Sequence, residues 1–196
     1  MKIRESGMPE ELYWESFFDP ESILAKLQFD DQIIDAVEFG CGYGTFTIPA
    51  AKIIKGNLFA LDIDPAMIKR LKKRIAEKNL TNIKLSQIDF VKEGTKTKDK
   101  SIDYAMLFNV LHCEDPVSLL KEAYRILKNG GKIGVMHWIY SAKTPRGPSL
   151  NIRPKPEQCI EWLKFSGFSI SDVISLPQYH YGILASKIIS IENAKA

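Results

Sequence analysis

Glu38-Phe39-Gly40-Cys41-Gly42-Tyr43-Gly44 stands where an apolar run gives way to a helical pattern. Glycines in such a turn accept positive φ and let a ligand rest against bare backbone. The spacing is G-x-G-x-G rather than the G-x-G-x-x-G of a dinucleotide loop, and Glu38 just before it would repel a pyrophosphate. Taken alone, the glycines equally describe a tight strand-to-helix corner. Asp62 closes the next apolar run, where a carboxylate can accept from both hydroxyls of a ribose. Asp89, followed by Phe90, closes the run after that and can accept from an exocyclic amine. Either aspartate singly is also a loop cap, but three acidic positions in order at the ends of successive runs argue for one nucleoside-type ligand.

A second group follows the fourth apolar run, Asn109-Val110-Leu111-His112-Cys113. His112 can serve as general base toward a hydroxyl or amine, and His137, at the end of the fifth run, is a second candidate at the same sheet edge. A histidine that only packs or bonds to backbone is the commoner case, and His180 reads as structural. Cys113 reads as a small buried hydrophobe.

The elements that must position these residues alternate apolar runs with helical patterns, the order of a parallel sheet with crossover helices. Strands are expected over residues 33–39, 58–62, 83–88, 102–108, 132–137, 168–176 and 181–188, and helices over 45–55, 65–78, 116–127 and 157–166. Pro65 and Pro116 mark helix starts, and Asn129-Gly130-Gly131 marks a stop. The stretch 93–100 reads as a loop or short helix. All the candidate residues so far fall at carboxyl ends of strands, the edge where open α/β sheets bind ligands.

The 196 residues suit one domain, with residues 1–30 as an N-terminal helical or lid segment, 33–139 as a cofactor-binding core and 140–196 as a substrate-facing loop and C-terminal strands. At 45% hydrophobic and 26% charged, the composition is that of a soluble, cytoplasmic globular protein. No apolar run spans a bilayer and the first residues lack a signal peptide's apolar stretch, so neither a membrane nor export is expected. Three scattered cysteines without C-x-x-C spacing suggest neither disulfides nor a metal site. A net charge of +3 argues against a nucleic-acid partner, and the run Lys69, Arg70, Lys72, Lys73, Arg74 reads as a solvated helix face. The sequence fixes no oligomeric state.

With these pieces assembled, the chain resembles the class I S-adenosylmethionine-dependent methyltransferases, in particular the type 11 and type 25 methyltransferase-like domains. The resemblance is carried by Glu38 to Gly44, Leu61-Asp62-Ile63-Asp64-Pro65, Gln87-Ile88-Asp89-Phe90, Asp103 to His112, and Leu119 to Gly131, which cover residues 37–135 in family order. It implies a Rossmann-like α/β fold with a seven-stranded, mostly parallel sheet of order 3-2-1-4-5-7-6 and helices on both faces. It also implies S-adenosylmethionine as cofactor, its methionine part at Glu38, Gly40, Cys41, Gly42 and Gly44, its ribose at Asp62 and Ile63, its adenine at Asp89 and Phe90, and the reacting centre from Asn109. Families that methylate planar amide or adenine nitrogens carry a Pro-Pro-aromatic pair after this Asn. Val110-Leu111-His112 departs from that, which speaks against DNA adenine or glutamine-amide methylation; the combined motif set favours a small-molecule acceptor.

Two further segments bear on the acceptor. Tyr13 and Trp14, with Phe17 and Phe18, form either an aromatic lid or a packed first helix. The loop 141–156 carries four basic residues, no acidic one and four prolines, and Arg146 or Arg153 is expected to receive an anionic group of the substrate there. Two alternatives remain at this stage: a non-catalytic S-adenosylmethionine-binding or scaffold subunit, and an NAD-dependent oxidoreductase, which Glu38 and the glycine spacing oppose.

Overall fold

Asp-Pro pairs open three of the helices. In the computed structural model, which describes residues 8–188, Asp19, Asp64 and Asp115 are N-caps whose carboxylates accept from the backbone N–H of Ser22, Ala66 and Ser118. The prolines that follow lock φ for the first turn, where no N–H is needed. These starts define α2 (Pro20–Lys26), α4 (Pro65–Glu77) and α6 (Pro116–Ile126). The remaining helices are α1 (Glu11–Glu15), α3 (Thr47–Ile53), α5 (Phe90–Glu93) and α7 (Pro156–Phe165).

The strands are β1 (Ala36–Phe39), β2 (Leu58–Asp62), β3 (Ile83–Gln87), β4 (Ile102–Phe108), β5 (Leu127–Trp138), β6 (Phe168–Leu176) and β7 (His180–Lys187). They form one sheet in the order β3-β2-β1-β4-β5-β7-β6, with β7 antiparallel to both neighbours and every other pairing parallel. This is the expected order. Alternation of side chains then builds the two faces. Ile102, Ala105 and Leu107 pack with α6 and α7, while Tyr104, Met106 and Phe108 pack with α2 and α3. Tyr104 is wholly buried and meets its polar obligation by donating to Leu27 O at 2.7 Å.

Several boundaries differ from expectation for local reasons. The first strand starts at Ala36 rather than 33, and α3 occupies only Thr47–Ile53 of the expected 45–55, because the glycine turn continues to Phe46. Pairing on β5 begins at Leu127, ahead of the expected 132. The Asn129-Gly130-Gly131 turn is absorbed as an irregularity where the register jumps between Ile102 and Tyr104, with Gly130 at φ 76°. Asp89 caps α5, so the segment after β3 turns helical earlier than expected. The outer ends of the proposed N-terminal and C-terminal segments, 1–7 and 189–196, lie outside the described residues. No helix among the described residues is long and apolar enough to cross a membrane.

Candidate active site

The carboxyl edge of β1, β2, β3, β4 and β5 opens onto a cavity of about 450 Å³. The turn after β1 forms its floor. Gly40, Gly42 and Gly44 all take positive φ there, at 78°, 51° and 82°. Two of these glycines also make room: a Cβ on Gly40 would stand 2.8 Å from Val110 Cγ1, and one on Gly44 would stand 2.3 Å from Leu71 Cδ1. Gly44 does not line the cavity; it lets α4 approach the turn, a packing role rather than the ligand contact expected of it.

Glu38 lies under this floor, 2% exposed, and accepts from Thr47 Oγ1. Burial pushes its carboxyl up to about 8; the Thr47 bond pulls down against this, and the neighbouring Asp62 carboxylate adds to the rise. Asp62, 5% exposed, accepts from Gly42 N–H at 2.8 Å through Oδ2 and from Asp64 N–H at 2.9 Å through Oδ1. It thereby ties β2 to the glycine turn, and burial raises its carboxyl as well. Ile63, Asp89 and Phe90 continue the lining, with Asp89 accepting from Lys92 N–H as the α5 cap.

Asn109 holds a left-handed φ of 58°, strained for a non-glycine residue, and donates its N–H to Met136 O at 2.7 Å. Its Oδ1 is buried without a hydrogen-bond partner, as is Thr45 Oγ1, and both residues line the cavity. Buried polar atoms are normally satisfied, so such atoms in a cavity mark where a ligand supplies the missing groups. Glu38, Thr45 and Asn109 therefore make one end of the cavity rich in acceptors. Arg146 is the sole Lys or Arg in its lining among the described residues.

Trp14, Phe46, Phe108 and Trp138 also line the cavity, as does His112, with the Phe46 and Phe108 ring centroids 4.9 Å apart and those of Trp14 and Trp138 6.4 Å apart. Trp14 comes from α1, which is clamped onto α4: Glu11 pairs with Arg70 at 2.5 Å and Arg74 at 3.0 Å, and Glu15 pairs with Arg74 at 2.6 Å. Arg74 also donates to Tyr43 O at 2.9 Å. The basic run on α4 is thus not only a solvated face, since two of its members fasten the N-terminal segment over the site. Pro9 O accepts from Tyr43 Oη at 2.8 Å and completes that closure.

Besides Gly44, three expected site residues lie elsewhere. Tyr13 is half exposed, edge-on to Phe17 and outside the cavity lining, because neighbours on one turn of α1 point about 100° apart. His137 is fully buried behind His112, whose Nδ1 is 3.3 Å from His137 Nε2, so it meets the cavity only through that ring. Arg153, expected to receive a substrate anion, is 6% exposed and spends its guanidinium on Ile139 O, Ser141 O, Thr144 Oγ1, Arg146 O and Pro148 O. All its donors are consumed in holding the loop's shape, which leaves nothing for an anion. Arg146 does line the cavity. Phe46, Phe108 and Trp138 were not singled out from sequence; Phe108, the last residue of a strand and next to Asn109, and Trp138, adjacent to His137, were the two with a positional signal.

Residues 36–131 match the family model described as a methyltransferase domain. The chain is 34% identical over 105 residues to a demethylmenaquinone methyltransferase of Lactobacillus johnsonii, covering 52% of this chain and 42% of that protein. It is 26% identical over 155 residues to a chloroplastic 2-methyl-6-phytyl-1,4-hydroquinone methyltransferase of Oryza sativa, covering 76% and 46%. The chain therefore spans less than half the length of these curated relatives. Among solved structures, an S-adenosylmethionine-dependent methyltransferase of Aquifex aeolicus superposes with a TM-score of 0.81 over 91% of this chain and 95% of that one, at 19% identity. That likeness establishes the fold.

Proposed function

We propose that the chain, whose residues 36–131 match a methyltransferase domain, is a class I S-adenosylmethionine-dependent methyltransferase that transfers the cofactor's methyl group to a small-molecule acceptor by in-line displacement. The observation that carries the reading is the part of the cavity lined by Glu38, Thr45 and Asn109, where Thr45 Oγ1 and Asn109 Oδ1 are buried without a hydrogen-bond partner. This chemistry suits an ammonium group, and the bare backbone of Gly40, Cys41 and Gly42 beside it suits the methionine chain that bears one. Each oxygen of Asp62 accepts one backbone N–H and keeps lone-pair capacity for ribose hydroxyls, with Ile63 alongside. Asp89 and Phe90 take the adenine end.

When bound, the cofactor supplies an activated methyl on a sulfonium, so the protein's work is alignment and exclusion of water. The Trp14 lid and the loop wall provide both, and a cavity of about 450 Å³ matches a cofactor with a compact acceptor. The names of two curated relatives, a demethylmenaquinone and a hydroquinone methyltransferase, support a small acceptor, and the presence of Arg146 in the lining supports an anionic group on it. Calorimetry with S-adenosylmethionine and S-adenosylhomocysteine tests the reading. Micromolar binding of both is expected; NAD binding in the absence of either would overturn it.

A further inference from the structure

The positive charge of this chain is gathered on one flank. Residues 65–87, which hold α4 and β3, carry seven Lys and Arg against one Glu, a net of +6, while the rest of the chain sums to −3. Arg70 and Arg74 are taken by Glu11 and Glu15, and Lys73 pairs with Glu77. That leaves Lys69, Lys72, Lys78 and Lys84 exposed and with no ion pair among the described residues. Arg74 reaches toward the turn after β1, where it meets Tyr43 O. Lys72, two residues earlier, lies about 200° round the helix from it, on the flank of α4 toward the end of the sheet. Lys84 stands on β3 itself.

β3 is the end strand of the sheet and pairs with β2 alone, over five consecutive residues with no register shift. Just outside it, Asn82 O accepts from Leu58 N–H and Ile88 N–H donates to Asp62 O, both at 2.8 Å. In a parallel ladder the N–H and C=O of one residue point the same way, and successive residues alternate. Lys84 and Ser86 therefore face β2, and Ile83, Leu85 and Gln87 turn their backbone groups outward. Among the described residues, no further backbone hydrogen bond takes up those outward groups. The opposite end of the sheet is blunted: β6 has a register shift between Ile170 and Asp172, and the Asp172 carboxylate accepts the Val173 N–H at 2.8 Å. β3 instead offers a regular, open ladder beside unpaired lysines.

We propose that the β3 edge receives an acidic, extended segment of another protein as an added strand. The inference goes beyond the methyl-transfer reading and does not depend on it. Only a polypeptide completes a β-ladder, and carboxylates along it meet Lys84 and the lysines of α4. No large hydrophobic residue is exposed within 65–87. The flank therefore has neither an aromatic platform for stacked bases nor an apolar anchor for a bilayer. A second copy of this chain, pairing edge to edge, would set Lys84 and the α4 lysines against their own kind. The occupant is thus a different chain. β3 leads into Asp89 and Phe90 of the cavity lining, which puts that occupant next to the candidate site.

The probe is a capped peptide of about ten residues that alternates Glu and Val, with a Lys–Val peptide of the same length as control. The Glu–Val peptide is expected to bind the intact protein and to slow amide hydrogen exchange at Ile83, Leu85 and Gln87, while Lys84 and Ser86, already bonded to β2, stay as they were. The Lys–Val peptide is expected to do neither. Combining Lys72→Glu, Lys78→Glu and Lys84→Glu, all on the surface, is expected to weaken the Glu–Val peptide by about tenfold or more, as is raising salt from about 50 to about 500 mM. Absent binding, affinity unmoved by the charge reversal, or binding that leaves the Ile83, Leu85 and Gln87 amides exchanging freely overturns the proposal. Duplex RNA and phosphatidylglycerol vesicles make two further arms. Tighter binding of either than of the peptide, lost in the same triple variant, shows a surface for another polyanion and overturns the assignment to a protein partner.

Discussion

Replacing Glu38 by Gln is expected to change how the stability of the ligand-free protein depends on pH. The Glu38 carboxyl is raised from 4.5 to about 8, chiefly by burial. A raised folded value means that the native state binds the proton more tightly than the unfolded chain, so this group's stabilisation is complete below pH 4.5 and is lost as pH rises toward 8. At about 1.4 kcal/mol for each tenfold step, the loss reaches about 5 kcal/mol above pH 8, with about 3 kcal/mol already gone at pH 7. Gln cannot titrate, and its Oε1 can still accept from Thr47 Oγ1, so the variant keeps the packing and loses the slope. Urea unfolding of both proteins at pH 5, 6, 7, 8 and 9 gives the test. The wild type should lose stability relative to Glu38→Gln across that range by several kcal/mol, and the buried histidines, present in both, cancel in the difference. Parallel curves would refute the reasoning that a buried carboxyl, only partly compensated by Thr47, sits beneath the glycine turn.

The same carboxyl should ionise when an ammonium group arrives beside it, so S-adenosylmethionine binding at pH 7 should release about 0.9 proton, read from calorimetry in buffers of different ionisation enthalpy and abolished by Glu38→Gln. His180, pressed between Trp138 and Phe18 and lowered to about 3 by burial, then by Arg153, acts in the opposite sense: its contribution is full above pH 6.5 and is lost as pH falls toward 3. His180→Phe should therefore flatten the acid limb of a denaturation series by up to about 5 kcal/mol near pH 3. Asp62→Ala should weaken cofactor binding by about 1.5–3 kcal/mol while unfolding stays cooperative; unchanged affinity would remove it from the site. Arg153→Met should speed hydrogen exchange through the 139–148 backbone and lower Tm, whereas Arg146→Met should raise the acceptor KM with no change in exchange; identical behaviour of the two variants would contradict their separate roles.

How much of this was readable in advance depended on whether the determining partner is local. Asp-Pro helix starts, the glycine turn and the acidic residues at strand ends are contiguous signals, and the sheet order came through the motifs that carry the family resemblance. The cavity-lining positions of Asp62, Ile63, Asp89, Phe90 and Asn109 follow from the same logic, since strand ends fix them. Arg153 was misassigned because its partners are mostly main-chain oxygens, and nothing in a basic, proline-rich loop separates an arginine aimed at a ligand from one buried among carbonyls. Arg70 and Arg74 were read as solvated because their partners, Glu11 and Glu15, lie 59 residues away at Arg70→Glu11 and Arg74→Glu15. Tyr13 and Trp14 could not be told apart on a helix of five residues, too short for periodicity to set its phase.

The loop held by Arg153 has a consequence for how this site can change over time. Its outline is dictated by one guanidinium gripping main-chain oxygens, together with the Thr144 hydroxyl, and main-chain oxygens are present whatever residue stands at a position. The side chains that this frame turns toward the cavity, Arg146, Pro148, Ser149 and Ile152, are therefore separable from the frame itself. Gly147 is the exception, because its φ of 116° and its closeness to Arg153 and Trp138 bar a side chain. Diversification of acceptor preference can thus proceed by exchange of those four side chains on an unchanged scaffold, and a library confined to them, with Gly147 and Arg153 held constant, samples new substrates without sampling unfolded loops.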